Sequence, residues 1–208
     1  MSQLSAHDLG LWRGDRCLCR GLSFTLESGS ILQLAGPNGS GKTSLMRAVA
    51  GVGRVDEGEI RWDGQAIRRS ETYRDSLAYL GHHNGLKQHL SPIENYVFYQ
   101  SIAEYSSETG AKEALDSFGL SGEVQDRPTG LLSMGQKRRA ALARLLAVKA
   151  RLWLLDEPLT SLDVDGIAFM TGLLARHLKE GGMALLATHQ AIALDGIRLN
   201  KLELGVTA

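Results

Sequence analysis

The chain has 208 residues, 43% of them hydrophobic, and its 23 lysines and arginines balance 23 aspartates and glutamates to a formal net charge of zero. That length fits one domain spanning residues 1–208 with its own apolar core, and the charge balance gives no electrostatic footprint for nucleic acid. The longest apolar stretches, near residues 142–148 and 183–187, fall far below the roughly 18 residues of a bilayer span, and the polar start does not read as a signal peptide, so the expectation is a chain that stays in the cytoplasm.

The segment up to about Gly64 reads as strand-rich. Cys17 and Cys19, the only cysteines, lie two apart on an early strand and share a face. Two thiols make neither a zinc site nor, in a reducing compartment, a disulfide, so both are taken as plain strand residues. The apolar run 31–35 reads as a buried strand leading into Gly36, Pro37, Asn38, Gly39, Ser40, Gly41, Lys42 and Thr43, a complete G-x-x-x-x-G-K-[ST] phosphate-binding loop followed by Ser44. The glycines let backbone N–H groups approach phosphate oxygens, and the helix opening at Thr43 turns its positive end to the same place. Lys42 reaches the β and γ phosphates and the Thr43 hydroxyl holds magnesium, so ATP and Mg2+ are the implied ligands. Residues 58–64 read as a strand closed by the Asp63-Gly64 turn.

A helical part spans about residues 84–150. It is preceded by His82 and His83, which with His89 make three histidines within eight positions but show no sign of converging. Ser91, Pro92 and Glu94 form a helix start with a capping box, and Ile93, Tyr96 and Val97 are its expected apolar face. A second helix covers 111–118 and stops at Gly119. Ser133 and Gln136 have capping-box spacing before a strong helix former, residues 140–147, so a helix N-terminus with the Ser133 hydroxyl and the Gly135 N–H is suited to a γ-phosphate. Lys137, Arg138 and Arg139 make a short basic cluster there. The apolar strand 152–155 ends in Asp156 and Glu157, stopped by Pro158. Adjacent carboxylates on a strand point to opposite sides, which gives Asp156 the metal and Glu157 the attacking water. A last apolar strand, 183–187, delivers His189 to a strand's carboxyl edge.

Leu132-Ser133-Met134-Gly135-Gln136, then Asp156-Glu157, Ser161-Leu162-Asp163 and Thr188-His189 stand in the order that marks ABC-type ATPases, and the chain resembles an ATP-binding cassette over nearly its whole length. The resemblance implies an α/β fold with a mostly parallel core sheet, an N-terminal antiparallel part and an inserted helical subdomain. It further implies a homodimer, with ATP held between 36–43 of one copy and Ser133, Gly135 and Gln136 of the other. Ser161 and Asp163 would line the dimer interface, and His189 would touch the γ-phosphate. Trp12 lies near the place of an adenine-stacking aromatic, one residue out of register, with Arg13 as the alternative. His83 stands where such proteins carry a glutamine that touches magnesium and the attacking water, His82 being the other occupant.

The stretches Tyr79-Leu80-Gly81-His82, Gly85-Leu86-Lys87, Leu152-Trp153, Asp165-Gly166 and Gly181-Gly182-Met183 are similar to the CcmA family, the ATP-binding subunits of bacterial cytochrome c maturation. That likeness implies a CcmB-like membrane permease with CcmC-like and CcmD-like subunits, attachment to the cytoplasmic face of the inner membrane through that partner, and haem export or release of haem-loaded chaperone. An exporter of another substrate and a soluble ABC protein are the alternatives. His83 departs from the family's glutamine.

Overall fold

Two sheets organise the chain. In the computed structural model, which describes residues 2–68, 70–103, 107–190, 192, 194 and 196–205, β1 (Gln3–Arg13), β2 (Arg16–Glu27), β4 (Glu57–Trp62) and β5 (Gln65–Ala66) form an antiparallel sheet in the order β2-β1-β4-β5. The β4–β5 turn is the expected Asp63-Gly64 pair, both at positive φ (50° and 80°), as a two-residue I′ turn requires. β3 (Ser30–Ala35), β6 (Leu77–Leu80), β7 (Leu152–Asp156), β8 (Met183–Ala187) and β9 (Arg198–Glu203) form a second sheet, all parallel, in the order β6-β7-β8-β3-β9. This is the α/β architecture expected from the sequence.

β7 and β8 are buried at every position, which is why they read as unbroken apolar runs rather than alternating ones. Their side chains still divide by parity. Leu152, Leu154, Met183 and Leu185 pack toward the antiparallel sheet and α1 (Lys42–Val49), while Trp153, Leu155, Ala184 and Leu186 pack toward α5 (Met134–Ala143) and α6 (Val164–Lys179). The parallel sheet is therefore the middle of three layers, and the carboxyl ends of β3, β7 and β8 open on one edge.

α2 (Glu71–Asp75) precedes β6, and α3 (Pro92–Ile102), α4 (Ala111–Ser117) and α5 enter between β6 and β7. The α3 capping box forms as its sequence predicts, with Glu94 N donating to Ser91 Oγ at 3.2 Å and Ser91 N to Glu94 Oε2 at 2.8 Å. Tyr96 is buried and its hydroxyl donates to the Leu146 and Thr109 carbonyls. Val97, expected on the apolar face, is instead 49% exposed, because α3 buries only one side. The helix expected to run through 140–147 ends at Ala143 and tightens into a 3-10 turn over Arg144–Leu146. There the Arg144 guanidinium lies 3.9 Å over the Tyr99 ring and donates to the Gly85 carbonyl.

Cys17 and Cys19 lie on β2, as expected. Neither forms a disulfide among the described residues, and burial raises the Cys19 thiol.

Candidate functional site

The phosphate loop leaves β3 through Gly36 at φ 142°, where a Cβ would fall on the Leu204 carbonyl and 2.7 Å from Ser40 Oγ. Gly41, at φ 100°, is the N-cap of α1. α1 has no side-chain cap and no acidic residue in its first turn, so its N-terminal donors stand without a side-chain acceptor. Lys42 is 9% exposed, and its ammonium donates to two carbonyls, Gly36 O at 2.7 Å and Pro37 O at 3.1 Å, rather than to a carboxylate. Ser40 Oγ is buried without a partner among the described residues. A lysine held at an uncapped helix start, beside an orphaned hydroxyl, fits a polyphosphate.

Thr43 Oγ1 donates to Asp156 Oδ2 at 2.9 Å, joining the loop to the buried end of β7. Glu157 does not follow as a strand residue. β7 stops at Asp156, and Glu157 turns left-handed at φ 50°, so the expected alternation of the two carboxylates does not operate. Its N–H donates to the Ala187 carbonyl at 2.8 Å, and its Oε1 lies 3.7 Å from His189 Nε2. The same His189 nitrogen is 3.3 Å from Asn38 Oδ1. Lys42, Thr43, Asp156, Glu157 and His189, spread over about three quarters of the sequence, therefore meet at one sheet edge.

The hairpin turn between β1 and β2 flanks this cradle. Arg13 pairs in register with Arg16, whose Nη1 lies 4.0 Å from where a Gly39 Cβ would sit, and Leu18 approaches Gly41 in the same way at 3.1 Å. Arg13, Arg16 and Leu18 thus share the face beside the phosphate loop. Trp12 is on the opposite face, its ring folded over Gly10. By strand alternation the Arg13 position lies on the loop's side of the hairpin and the Trp12 position on the other.

Ser133 and Gln136 close their capping box on each other, at 3.2 and 2.9 Å, and Gly135 packs against the Ser161 carbonyl. Asp163 caps α6 through Gly166 N at 2.9 Å and is clamped by Arg139 at 2.5 and 2.6 Å. The Gly166 N–H and then Arg139 hold its carboxyl below the usual range, so this side chain is already engaged within its own chain. His82 and His83 are exposed, with rings edge-on at 5.6 Å, and they line a cleft of about 550 Å³ together with Glu157, Arg138, Met134 and Ser161. His89 is exposed and outside that lining, and no cluster of three or more histidine, cysteine or acidic side chains able to hold a metal occurs among the described residues.

The sequence profile of the family described as ABC transporter matches residues 19–160. The chain belongs to the ABC transporter family. Proteins of this family named "Cytochrome c biogenesis ATP-binding export protein CcmA" match nearly from end to end. That of Nitrosospira multiformis is 45% identical over 98% of this chain and 100% of its own length. That of Yersinia pestis bv. Antiqua is 44% identical over 98% and 94%, and that of Aliivibrio fischeri 43% over 93% and 95%. Among solved structures, a putative ABC transporter (ATP-binding protein) from Pyrococcus furiosus superposes with a TM-score of 0.81, at 24% identity over 97% of both chains. An ATP-binding cassette solved as a dimer in a post-hydrolysis state with ADP and phosphate gives 0.80, at 20% identity over 90% of this chain and 88% of that one. These structures share the ABC transporter ATPase fold of parallel core sheet, antiparallel sheet and helices.

Proposed function

We propose that the chain is the ATP-hydrolysing subunit of a cytochrome c biogenesis complex and couples hydrolysis, through a separate membrane subunit, to haem export or release of haem-loaded chaperone. The observation that carries the reading is near end-to-end identity of 43–45% to proteins named as ATP-binding export proteins of cytochrome c biogenesis, in a chain whose Lys42, Thr43, Asp156, Glu157 and His189 converge. Loop N–H groups and Lys42 bind the phosphates, and Arg13 lies against the base. Thr43 Oγ1 and Asp156 Oδ2, already paired at 2.9 Å, fit Mg2+, which when bound neutralises phosphate charge. Glu157 accepts a proton from the attacking water, and His189, between Asn38 and Glu157, contacts the γ-phosphate. A second copy covers the nucleotide with Ser133, Gly135 and Gln136, and the helices of 84–150 form the lobe that carries them.

The membrane partner is a CcmB-like permease with CcmC-like and CcmD-like subunits. No helix among the described residues is long and apolar enough to cross a membrane, so attachment to the cytoplasmic face of the inner membrane is assigned to that partner. Its docking surface is the one around residues 84–99, where Val97 is 49% exposed. Cell fractionation tests this reading: without the permease the chain is expected in the soluble fraction, and continued sedimentation with membranes would count against it.

His83 takes the role usually given to a glutamine, accepting a hydrogen bond from the attacking water. His83→Gln, which keeps a side-chain acceptor, should keep activity, while His83→Ala lowers it. Unchanged turnover in His83→Ala with a loss in His82→Ala would assign the role to the neighbour.

A further inference from the structure

The one basic cluster of the sequence is taken up by three separate contacts. Lys137 Nζ donates to the Gly130 carbonyl at 3.0 Å, and Arg139 holds the Phe118 carbonyl and Asp163. Arg138 turns inward and is 4% exposed. Its Nη2 donates to the carbonyls of Asp156 at 3.0 Å and Glu157 at 2.6 Å, and its Nε to that of Pro158 at 3.3 Å. Its Nη1 donates to Asn84 Oδ1 at 3.0 Å and to the Gly81 carbonyl at 3.4 Å.

Three consecutive carbonyls are thus gripped by one planar cation, and the residue at their centre is Glu157, a non-glycine residue at φ 50°. A left-handed conformation at such a residue persists only where its surroundings over-determine it. The guanidinium supplies that constraint from α5, while the fourth and fifth acceptors belong to the loop that carries His82 and His83. Burial pulls Arg138 down to about 10, against Asp156 and Glu157, which raise it, and it remains a cation at neutral pH.

We propose that Arg138 is a positioning residue: it sets the placement of the Glu157 carboxylate and, through Asn84 and Gly81, ties that placement to the loop after β6. The proposal rests on the reading of Glu157 as the group that polarises water. Arg138 touches no reacting atom. It acts by fixing the backbone from which the carboxylate projects, and a shift there of about an ångström is enough to cost on the order of 100-fold in rate. Lysine cannot replace it, because a single ammonium does not span five acceptors that a rigid fork reaches at once.

The test is Mg-ATP hydrolysis by the whole chain, with ATP affinity measured separately by a fluorescent analogue. Arg138→Gln is expected to lower kcat by about 10- to 100-fold with KM and ATP affinity within about threefold of wild type, and Arg138→Lys to recover little. Combining either change with Glu157→Gln should slow the residual rate by less than about twofold, since both act on one group. Losses that multiply in the double variant, or a parallel loss of ATP affinity, would overturn the proposal in favour of a merely structural arginine. Wild-type turnover in Glu157→Gln alone would instead sink the reading underneath it, whatever Arg138 does. If Arg138→Gln does not yield folded protein, Arg138→Lys carries the same cycle. Asn84→Ala, which removes the shorter of the two bonds from Arg138 to the loop, is expected to lower kcat by about 3- to 10-fold at unchanged ATP affinity. Wild-type kcat in both Arg138→Lys and Asn84→Ala would refute the proposal.

Discussion

Replacing Glu157 by glutamine is expected to leave a chain that binds ATP as before and hydrolyses it at least about 100-fold more slowly. The amide has the size and shape of the carboxylate, so the left-handed turn, the Glu157 N–H to Ala187 carbonyl bond and the grip of Arg138 on the backbone all survive. What is lost is the proton acceptor. Nothing in the phosphate cradle changes, because Lys42, Thr43 and the α1 N-terminus make no hydrogen bond to the Glu157 side chain. A nucleotide that binds but is not cleaved should hold two copies together, so size-exclusion in Mg-ATP should show a dimer that persists in the variant. Turnover at the wild-type rate would remove Glu157 from the chemistry.

What the sequence makes legible here is local chemistry. The glycine spacing of 36–41, the Ser91 and Ser133 capping boxes and the Asp63-Gly64 turn are each decided within a few residues, and each is found where the sequence puts it. Buried strands announce themselves as apolar runs because both faces of β7 and β8 are covered. What escaped is decided by groups distant in the chain. The left-handed turn at Glu157 is held by a carbonyl 30 residues on, Ala187, and by an arginine 19 residues back, neither visible in Leu-Asp-Glu-Pro. The Lys137-Arg138-Arg139 run looks like surface charge, and only packing reveals that its middle member is buried. The choice between Trp12 and Arg13 turned on register, since a shift of one residue in a hairpin exchanges faces, and the β1–β2 ladder carries irregularities at Ala6/Leu9, Leu9/Leu11 and Leu11/Trp12. For Asp163, the spacing to Gly166 makes a helix cap, and in the single chain its carboxylate makes that cap and holds Arg139, a residue 24 positions back.

Lys42→Ala is expected to abolish stabilisation by ATP while changing the ligand-free chain little. In the absence of phosphate the ammonium sits near the positive end of α1 and, among the described residues, bonds only to the carbonyls of Gly36, a half-buried residue, and Pro37, an exposed one. Water can replace those two bonds, so the ligand-free variant should lie within about 1 kcal/mol of wild type. Bound phosphate is another matter, because a charge-assisted hydrogen bond to it is worth about 1.5–3 kcal/mol, up to about 100-fold in affinity. Linkage turns that into a thermal measurement. At an ATP concentration about 100 times the wild-type Kd, binding adds about 2.7 kcal/mol to the wild type, whereas a variant bound 100-fold more weakly gains only RT ln 2, about 0.4 kcal/mol. Unfolding curves with and without Mg-ATP should therefore separate clearly for wild type and Glu157→Gln and nearly coincide for Lys42→Ala. A full ATP-dependent rise in Tm in Lys42→Ala would mean that the loop N–H groups and the helix end carry phosphate binding without the lysine.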